Sequence, residues 1–198
     1  MAWGKNGTPE TLTGTASQVQ ITDLAGNKFN QFMRNELKSA SMTVNTIFNN
    51  DTGNLYAYRI SYSGGADGTP SVNQPKFLES TGNDVGQEFH IMYSCWVSGE
   101  EKLVIDFGVE SNTSSASTIP TRSEFAGKYV PSSLTDTCDR IDGVASTSTL
   151  AISSNLSALG SDLTPVAASS ATISDGAIFY ETDNNKSYVL YNGSWTEV

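Results

Sequence analysis

The sequence predicts a mainly β protein: an antiparallel β-sandwich of jelly-roll type with one N-terminal helix and a small C-terminal β-meander. Three observations predict this class. Apolar and polar residues alternate through much of the chain, turns rich in Gly, Asn and Ser separate the alternating segments, and one segment has helical spacing instead. Seven or eight short strands of this kind are expected to form two sheets over one core, and 198 residues suffice for that core plus an appendage.

The predicted helix lies near the N-terminus. Asp23 is suited to cap a helix that runs from Leu24 to Ser39, although Gly26 weakens it. The apolar residues close to a helical stripe are Leu24, Phe29, Phe32, Met33 and Leu37. Weaker strands are predicted on either side, at residues 18–22 and 42–49.

The longest alternating pattern in the chain predicts a hairpin of residues 87–97 and 102–110, joined by the turn 98–101. Its apolar faces are expected to form the core of the sandwich, which makes Ile105 a core residue. The polar face of the second strand, with Asp106 and Glu110, is expected to be solvated. The apolar faces carry Phe89, Ile91, Tyr93, Cys95 and Val97 on the first strand and Leu103, Ile105, Phe107 and Val109 on the second.

Composition divides the chain into three regions. Residues 1–145 are expected to form the sandwich domain, with further strands at 54–63, 123–130 and 138–144. Residues 146–172 are rich in Ser, Thr and Ala and are expected to form a connector, of which 149–159 has enough apolar residues for an edge strand. Residues 173–198 are expected to form the β-meander.

The meander is predicted from three very short strands and two turns, one of them the hairpin signal Asn192-Gly193. Three strands of four or five residues cannot bury enough apolar surface to stand alone. The meander is therefore expected to pack on its own domain or on another copy, and apolar residues on both faces leave one face for a second subunit. The predicted assembly interface consists of Ile178, Tyr180, Tyr188, Tyr191 and Trp195.

The charge and hydropathy patterns argue against several functions. The formal net charge is −10 and the eleven Lys and Arg residues form no basic stripe, so nucleic-acid binding is not expected. No stretch approaches the roughly 18 apolar residues of a membrane span, and the first ten residues lack the apolar region of a secretory signal. The many hydroxyl and amide side chains are typical of extracellular or virion surfaces, and a virion protein made in the host cytoplasm needs no signal. The alternative is an intracellular protein rich in Ser and Thr.

Few residues are suited to catalysis. His90 is the only histidine, and the predicted strand places it on the face opposite Cys95, so it is interpreted as a surface or inter-sheet residue. Asp106 and Glu110 lie roughly 13 Å apart at 3.3 Å per residue, too far for a glycosidase pair unless Glu124 approaches from another strand. No catalytic residue is predicted, and the protein is expected not to be an enzyme.

No cofactor or metal site is predicted either. Asp136, Asp139 and Asp142 lie near one turn and offer the oxygen ligands that Ca²⁺ takes, but their spacing does not match an EF-hand. Cys95 and Cys138 are the only cysteines and are interpreted as two free thiols. The alternative is a single disulfide between them that forms late.

Two blocks of the sequence resemble structural proteins of tailed marine viruses. The first 145 residues carry Met1-Ala-Trp-Gly-Lys-Asn-Gly-Thr-Pro9, Phe48-Asn-Asn-Asp-Thr-Gly-Asn54, Arg59-x-Ser61, Gly64-Gly-Ala-Asp67, Glu100-Glu-Lys-Leu103 and Glu124-Phe-x-Gly-Lys128. The C-terminal block, similar to modules on phage structural and tail-fibre proteins, carries Gly176, Ile178, Tyr180, Thr182, Asn185, Lys186, Tyr188, Tyr191, Gly193 and Trp195.

These viral proteins are uncharacterised, so the resemblance implies a virion role and adds no chemistry. Together with the absence of predicted catalytic residues, it leads us to expect a non-enzymatic virion structural protein, a capsid decoration or a tail or fibre component. Its partners would be other copies of itself, as a homo-oligomer, and other virion proteins. The alternative is a module that recognises host-surface glycan, because sugars stack on exposed aromatic side chains. For that role the chain offers Tyr56, Tyr58, Tyr62, Trp96, Tyr180, Tyr188, Tyr191 and Trp195.

Overall fold

The computed structural model describes residues 3–68, 70–78, 85–111, 116–161, 176–181, 186–192 and 194–197. Within these ranges the chain forms sixteen strands and no helix, which confirms the mainly β class. In chain order they are β1 Gly4–Lys5, β2 Glu10–Thr11, β3 Gln18–Ile21, β4 Phe29–Lys38, β5 Val44–Phe48, β6 Tyr56–Tyr62, β7 Ser71–Gln74, β8 Phe77–Leu78, β9 Gly86–Cys95, β10 Lys102–Glu110, β11 Thr121–Tyr129, β12 Ile141–Ala145, β13 Asn155–Ser161, β14 Ile178–Glu181, β15 Lys186–Tyr191 and β16 Ser194–Glu197.

The chain divides into two compact units, Ala2–Leu163 and Thr164–Val198. The first contains a nine-stranded sheet in the order β1-β13-β4-β9-β10-β11-β6-β7, with β2 also paired to β13, and a four-stranded sheet in the order β3-β12-β5-β8. Every strand pairing is antiparallel, as the alternating pattern predicts. The jelly-roll type of the sandwich stays a prediction.

The predicted N-terminal helix is wrong. Residues 29–38 form the ten-residue strand β4, which pairs along its whole length with β9 and over seven residues with β13. The apolar residues that suggested a helix divide between the two faces of this strand, with Phe32 buried and Met33 facing the other side. Because helical propensity is a weak preference, backbone bonds to two distant strands override it.

An aromatic core joins the two sheets of the first unit. Phe48 of β5 lies at the centre, 5.4 Å between ring centroids from Trp96 and 6.0 Å from Phe32 of β4. Tyr56 stacks on Tyr129 at 4.8 Å. Tyr56 and Trp96 are buried in this core, so neither offers an exposed ring to a sugar. The core packs on the inner face of β4, β9 and β10 at one end of these strands. Further along the same face, toward the other end, the buried residues are charged.

The C-terminal unit is a three-stranded antiparallel sheet in which β15 lies between β14 and β16. Asn192 has a φ of 48°, in the left-handed region that the predicted Asn-Gly turn requires. Of the predicted interface, Ile178 is 76% exposed, Tyr191 73% and Trp195 43%, and Tyr188 is half-buried. The side chain of Tyr180 lies outside the described residues.

Candidate functional site

The three adjacent strands β4, β9 and β10 have unusual side chains on both faces, and the orientation is the reverse of the predicted one. The predicted hairpin β9–β10 forms, but Ile105 is 47% exposed and Asp106 is fully buried. The prediction that Ile105 is a core residue is therefore wrong, as is the solvated face for Asp106 and Glu110. The alternation in a sequence shows which residues of a strand share a face, but it does not show which of the two faces is buried.

The inner face carries a buried charged cluster. All of its members are at most 3% exposed. They are Arg34, Glu36 and Lys38 on β4, Glu88 and His90 on β9, and Asp106 and Glu110 on β10. Charged groups are tolerated inside a protein only when they are paired and hydrogen-bonded, so the pairing within this cluster decides its properties.

His90 is held between two carboxylates. Its Nδ1 lies 2.6 Å from Asp106 Oδ2 and its Nε2 lies 2.9 Å from Glu88 Oε1. Burial lowers the pKa of His90, but the charge of Asp106 and the hydrogen bonds to both carboxylates outweigh it and raise the pKa to about 10. The imidazole is thus protonated at neutral pH and donates to both neighbours.

Gly108 provides the space that this arrangement needs. It lies directly opposite His90 in the β9–β10 ladder, and a Cβ at this position would lie 2.5 Å from His90 Cε1. A side chain here would displace the imidazole from Asp106. Gly108 interrupts the alternation of β10 because the ring on the next strand occupies the place of its side chain.

Lys38 neutralises the neighbouring carboxylates. Its Nζ lies 3.1 Å from Glu88 Oε2 and makes a closer ion pair with Glu110 Oε1. Burial lowers the pKa of Lys38, but the hydrogen bond to Glu110 and the charge of Glu88 outweigh it, so the pKa is raised. Glu88 therefore links Lys38 on β4 to His90 on β9, and the contacts of Lys38 with Glu110 and of His90 with Asp106 extend the network to β10.

Arg34 and Glu36 complete the cluster next to the small sheet. Arg34 Nε contacts Glu36 Oε1, and Arg34 Nη1 donates to Thr46 Oγ1 on β5. Gly143 on β12 leaves room for this arginine, because a Cβ there would lie 2.9 Å from Arg34 Cδ. Glu36 Oε2 has no partner among the described residues, and burial raises the pKa of Glu36. A fully buried carboxylate with an unsatisfied oxygen is costly.

The opposite face of the same strands is apolar and exposed, and is called here the outer apolar face. Its strand register brings Ile105 beside Tyr93, Phe107 beside Ile91 and Val109 beside Phe89. The exposed fractions are 57% for Leu103, 54% for Phe107, 47% for Ile105, 38% for Val109, 37% for Tyr93 and 36% for Phe89. These six residues form one continuous patch across β9 and β10.

The border of the outer apolar face is charged but balanced. On the β11 side, Arg122 pairs with Glu124 at 3.3 Å and Lys128 with Glu101 at 2.6 Å. On the β4 side the outward residues include the uncharged Gln31 and Asn35, which lie opposite Tyr93 and Phe89. The face therefore carries little of the net charge of the molecule.

The remaining predicted site residues do not converge. Glu124 is exposed on the outer side, opposite to the buried Asp106 and Glu110, so these carboxylates cannot flank one cleft. In the turn considered for Ca²⁺, Asp142 pairs with Arg140 at 2.8 Å. Cys95 and Cys138 are free thiols, and burial raises the pKa of Cys138.

Comparisons of the chain with models of protein families, with characterised proteins and with solved structures found no match. In the part of the chain that the structure describes, no helix is long and apolar enough to cross a membrane. The two faces of β4, β9 and β10 are therefore the features from which a function can be inferred. Sequence reasoning missed both, although the acidic and basic residues at alternate positions of β4 were visible.

Proposed function

We propose that the protein is a non-enzymatic structural subunit that assembles with a second copy of itself through the outer apolar face. The single observation that carries this proposal is the exposure of six large apolar side chains in one patch on β9 and β10. A contiguous apolar patch of this kind on a protein surface is often a site of interaction with another protein. The resemblance to virion proteins supports a place in a capsid decoration, tail or fibre, where other virion proteins would be further partners.

The size of the patch fits an interface. If each of these three aromatic and three aliphatic residues offers roughly 150–250 Å² when fully exposed, the six exposed fractions correspond to roughly 500 Å² of surface. A standard interface takes about 800 Å² from each partner, including a polar rim. The apolar centre on β9 and β10 and the polar borders on β4 and β11 supply that arrangement.

The paired charges around the outer apolar face make it the surface where a second copy meets the least electrostatic repulsion. Two molecules of net charge −10 repel each other, and they approach at least cost through a face whose charged residues are already paired. A two-fold axis that runs parallel to the strands, midway between β9 and β10, places the apolar stripe on itself and the charged border at β11 against the amide border at β4 of the other copy. Two sheets packed in this way form a layer about 10 Å thick, like the core of a sandwich.

Glycan recognition is a second candidate, favoured by one observation. Tyr93 is 37% exposed and lies directly opposite Gln31, so an aromatic ring and an amide are adjacent on the surface. A sugar stacks on such a ring while the amide binds its hydroxyl groups. In this case the face would remain exposed in a monomer and would bind host-surface glycan.

Sedimentation velocity of the Ile105→Glu and Ile152→Glu variants separates these proposals. Ile105 lies at the centre of the outer apolar face, whereas Ile152, 55% exposed, lies in the turn before β13 and belongs to neither β9 nor β10. We expect the wild type and Ile152→Glu to form the same oligomer and Ile105→Glu to be monomeric, with the melting temperature little changed.

A monomeric wild type that binds oligosaccharides in a glycan array, with binding lost in Tyr93→Ala, would replace assembly with glycan recognition. An oligomer unaffected by Ile105→Glu would place the interface elsewhere. Either result contradicts the proposed role of the outer apolar face.

A further inference from the structure

We propose that Glu36, Glu88 and His90 form a binding site for one divalent transition-metal ion, such as Mn²⁺, Fe²⁺ or Zn²⁺, that ties β4 to β9 inside the sandwich. The role of the ion would be structural. The site lies on the inner face of the sheet, so it is independent of the proposed assembly through the outer apolar face.

The backbone brings the three ligands together. Glu36 and Glu88 are directly opposite each other in the β4–β9 ladder, and His90 follows Glu88 by two residues on the same face. One ligand atom from each residue lies within 4.8 Å of the other two. Two atoms that each bind an ion at about 2.1 Å lie roughly 3–4 Å apart, so small side-chain rotations complete the site.

Glu36 is the observation that points to a ligand. Its side chain is fully buried, its Oε1 contacts only Arg34, and its Oε2 has no partner among the described residues. Nothing else in the cluster satisfies this oxygen. A cation held jointly with Glu88 would satisfy it, and Arg34 would keep its second bond to Thr46 on β5.

The surroundings of His90 match those of a metal-binding histidine. Such a histidine binds the ion through one ring nitrogen and donates its other N–H to a carboxylate, which fixes the orientation of the ring. Asp106 Oδ2 lies 2.6 Å from Nδ1 and takes this second position, so Nε2 is directed toward Glu88 and Glu36. Gly108 leaves room for the ring to lie in this orientation.

The formal charges of the cluster also favour a divalent ion. A metal bound at Nε2 displaces the proton that His90 shares with Glu88, and the imidazole is then neutral. In that state the cations Arg34 and Lys38 face four carboxylates, a deficit of two positive charges. One divalent ion supplies them. The four carboxylates are those of Glu36, Glu88, Asp106 and Glu110.

The donor set selects the kind of ion. One imidazole and two carboxylates suit Mn²⁺, Fe²⁺ and Zn²⁺, whereas Ca²⁺ and Mg²⁺ prefer oxygen ligands alone and Cu⁺ prefers sulfur. All three residues are at most 1% exposed, so the site lacks the open, solvent-facing position of a catalytic metal. A metal-dependent stability is therefore expected, because binding to the folded chain alone stabilises it.

The test measures metal content in the full chain. The protein is stripped with a chelator, then equilibrated with Mn²⁺, Zn²⁺ or Co²⁺, and in parallel refolded from urea with each ion because the site is enclosed. After desalting, elemental analysis should give about one ion per chain. Glu36→Gln should lower retention at least tenfold, while Asp142→Asn, an equally buried carboxylate on the small sheet, should retain the ion.

Two further readouts keep the result decisive if a variant folds poorly. The Co²⁺-loaded wild type should show weak visible bands without the near-ultraviolet charge-transfer band of a thiolate, and its melting temperature should rise with metal. His90→Gln should lose both effects. Less than a tenth of an ion per chain after both loading procedures would overturn the proposal, as would a thiolate band that places the ion on Cys95 or Cys138.

Discussion

His90 and Asp106 lie on neighbouring strands, and Nδ1 of the histidine is 2.6 Å from Oδ2 of the aspartate in a layer closed to solvent. This pair lies on the inner face of the β9–β10 hairpin. Since successive residues of a strand point to opposite faces, Ile91 and Ile105 next to them point outward. The buried charged cluster and the outer apolar face are therefore the two sides of the same strands.

The first prediction compares two isoleucines. Ile105→Ala on the outer apolar face should lower the free energy of unfolding by less than about 1 kcal/mol, measured at concentrations low enough to avoid assembly. Ile141→Ala, 1% exposed on β12, should cost about 2–5 kcal/mol because it leaves a core cavity. Urea midpoints of the two variants measure this difference. Equal losses would contradict the described orientation of the hairpin.

The second prediction concerns Gly108→Ala. The added methyl group would lie 2.5 Å from His90 Cε1, so the imidazole must leave Asp106, and we expect a loss of about 1–3 kcal/mol. Gly14→Ala is the control, because no atom lies within 4 Å of the place its methyl group would take. As His90 is the only histidine, one imidazole signal in NMR reports its displacement directly. An unchanged signal and midpoint would argue against the close approach.

The third prediction is a pH dependence of stability in metal-free buffer. The pKa of His90 is about 10 in the folded chain and about 6.5 when unfolded, so its contribution is fully present below pH 6.5 and is lost as the pH rises toward 10. The pKa of Glu36 is also raised in the folded chain, so its contribution to stability is likewise lost as the pH rises. Urea midpoints should fall over this window, and His90→Gln should flatten the decline. A histidine NMR titration with a midpoint below pH 8 would refute it.

The fourth prediction distinguishes the two candidate interfaces. Deleting residues 173–198 should leave the Ala2–Leu163 unit folded with a nearly unchanged melting temperature, because that unit contains its own core. If the outer apolar face mediates assembly, the truncated chain should form the same oligomer in analytical ultracentrifugation. If the C-terminal strands mediate it, truncation should yield monomers and Trp195→Ala should weaken association about thirty-fold.

Unfolding of the truncated chain would show that the C-terminal residues belong to the core of the first unit. Combining the truncation with Ile105→Glu provides the control, since loss of the oligomer only in the double variant would mean that both surfaces contribute.

Local patterns in the sequence were sufficient to predict the β class, the antiparallel hairpin of β9 and β10 and the short C-terminal strands. These features depend on local information, namely the period of two along a strand and the turn residues between strands. The prediction of a helix at residues 24–39 is wrong because β4 is stabilised by backbone bonds to β9 and β13, whose residues lie about fifty and more than a hundred positions later in the chain.

Which face of β4, β9 and β10 is buried depends on contacts between distant parts of the chain. A strand with Arg34, Glu36 and Lys38 at alternate positions is expected to expose them, because burying an unpaired charge is costly. The folded chain brings β9 and β10 beside β4, so Glu88, His90, Asp106 and Glu110 supply partners from distant parts of the sequence. Their mutual neutralisation lowers the cost of burial, and this pairing between strands cannot be seen in the alternation within any one of them.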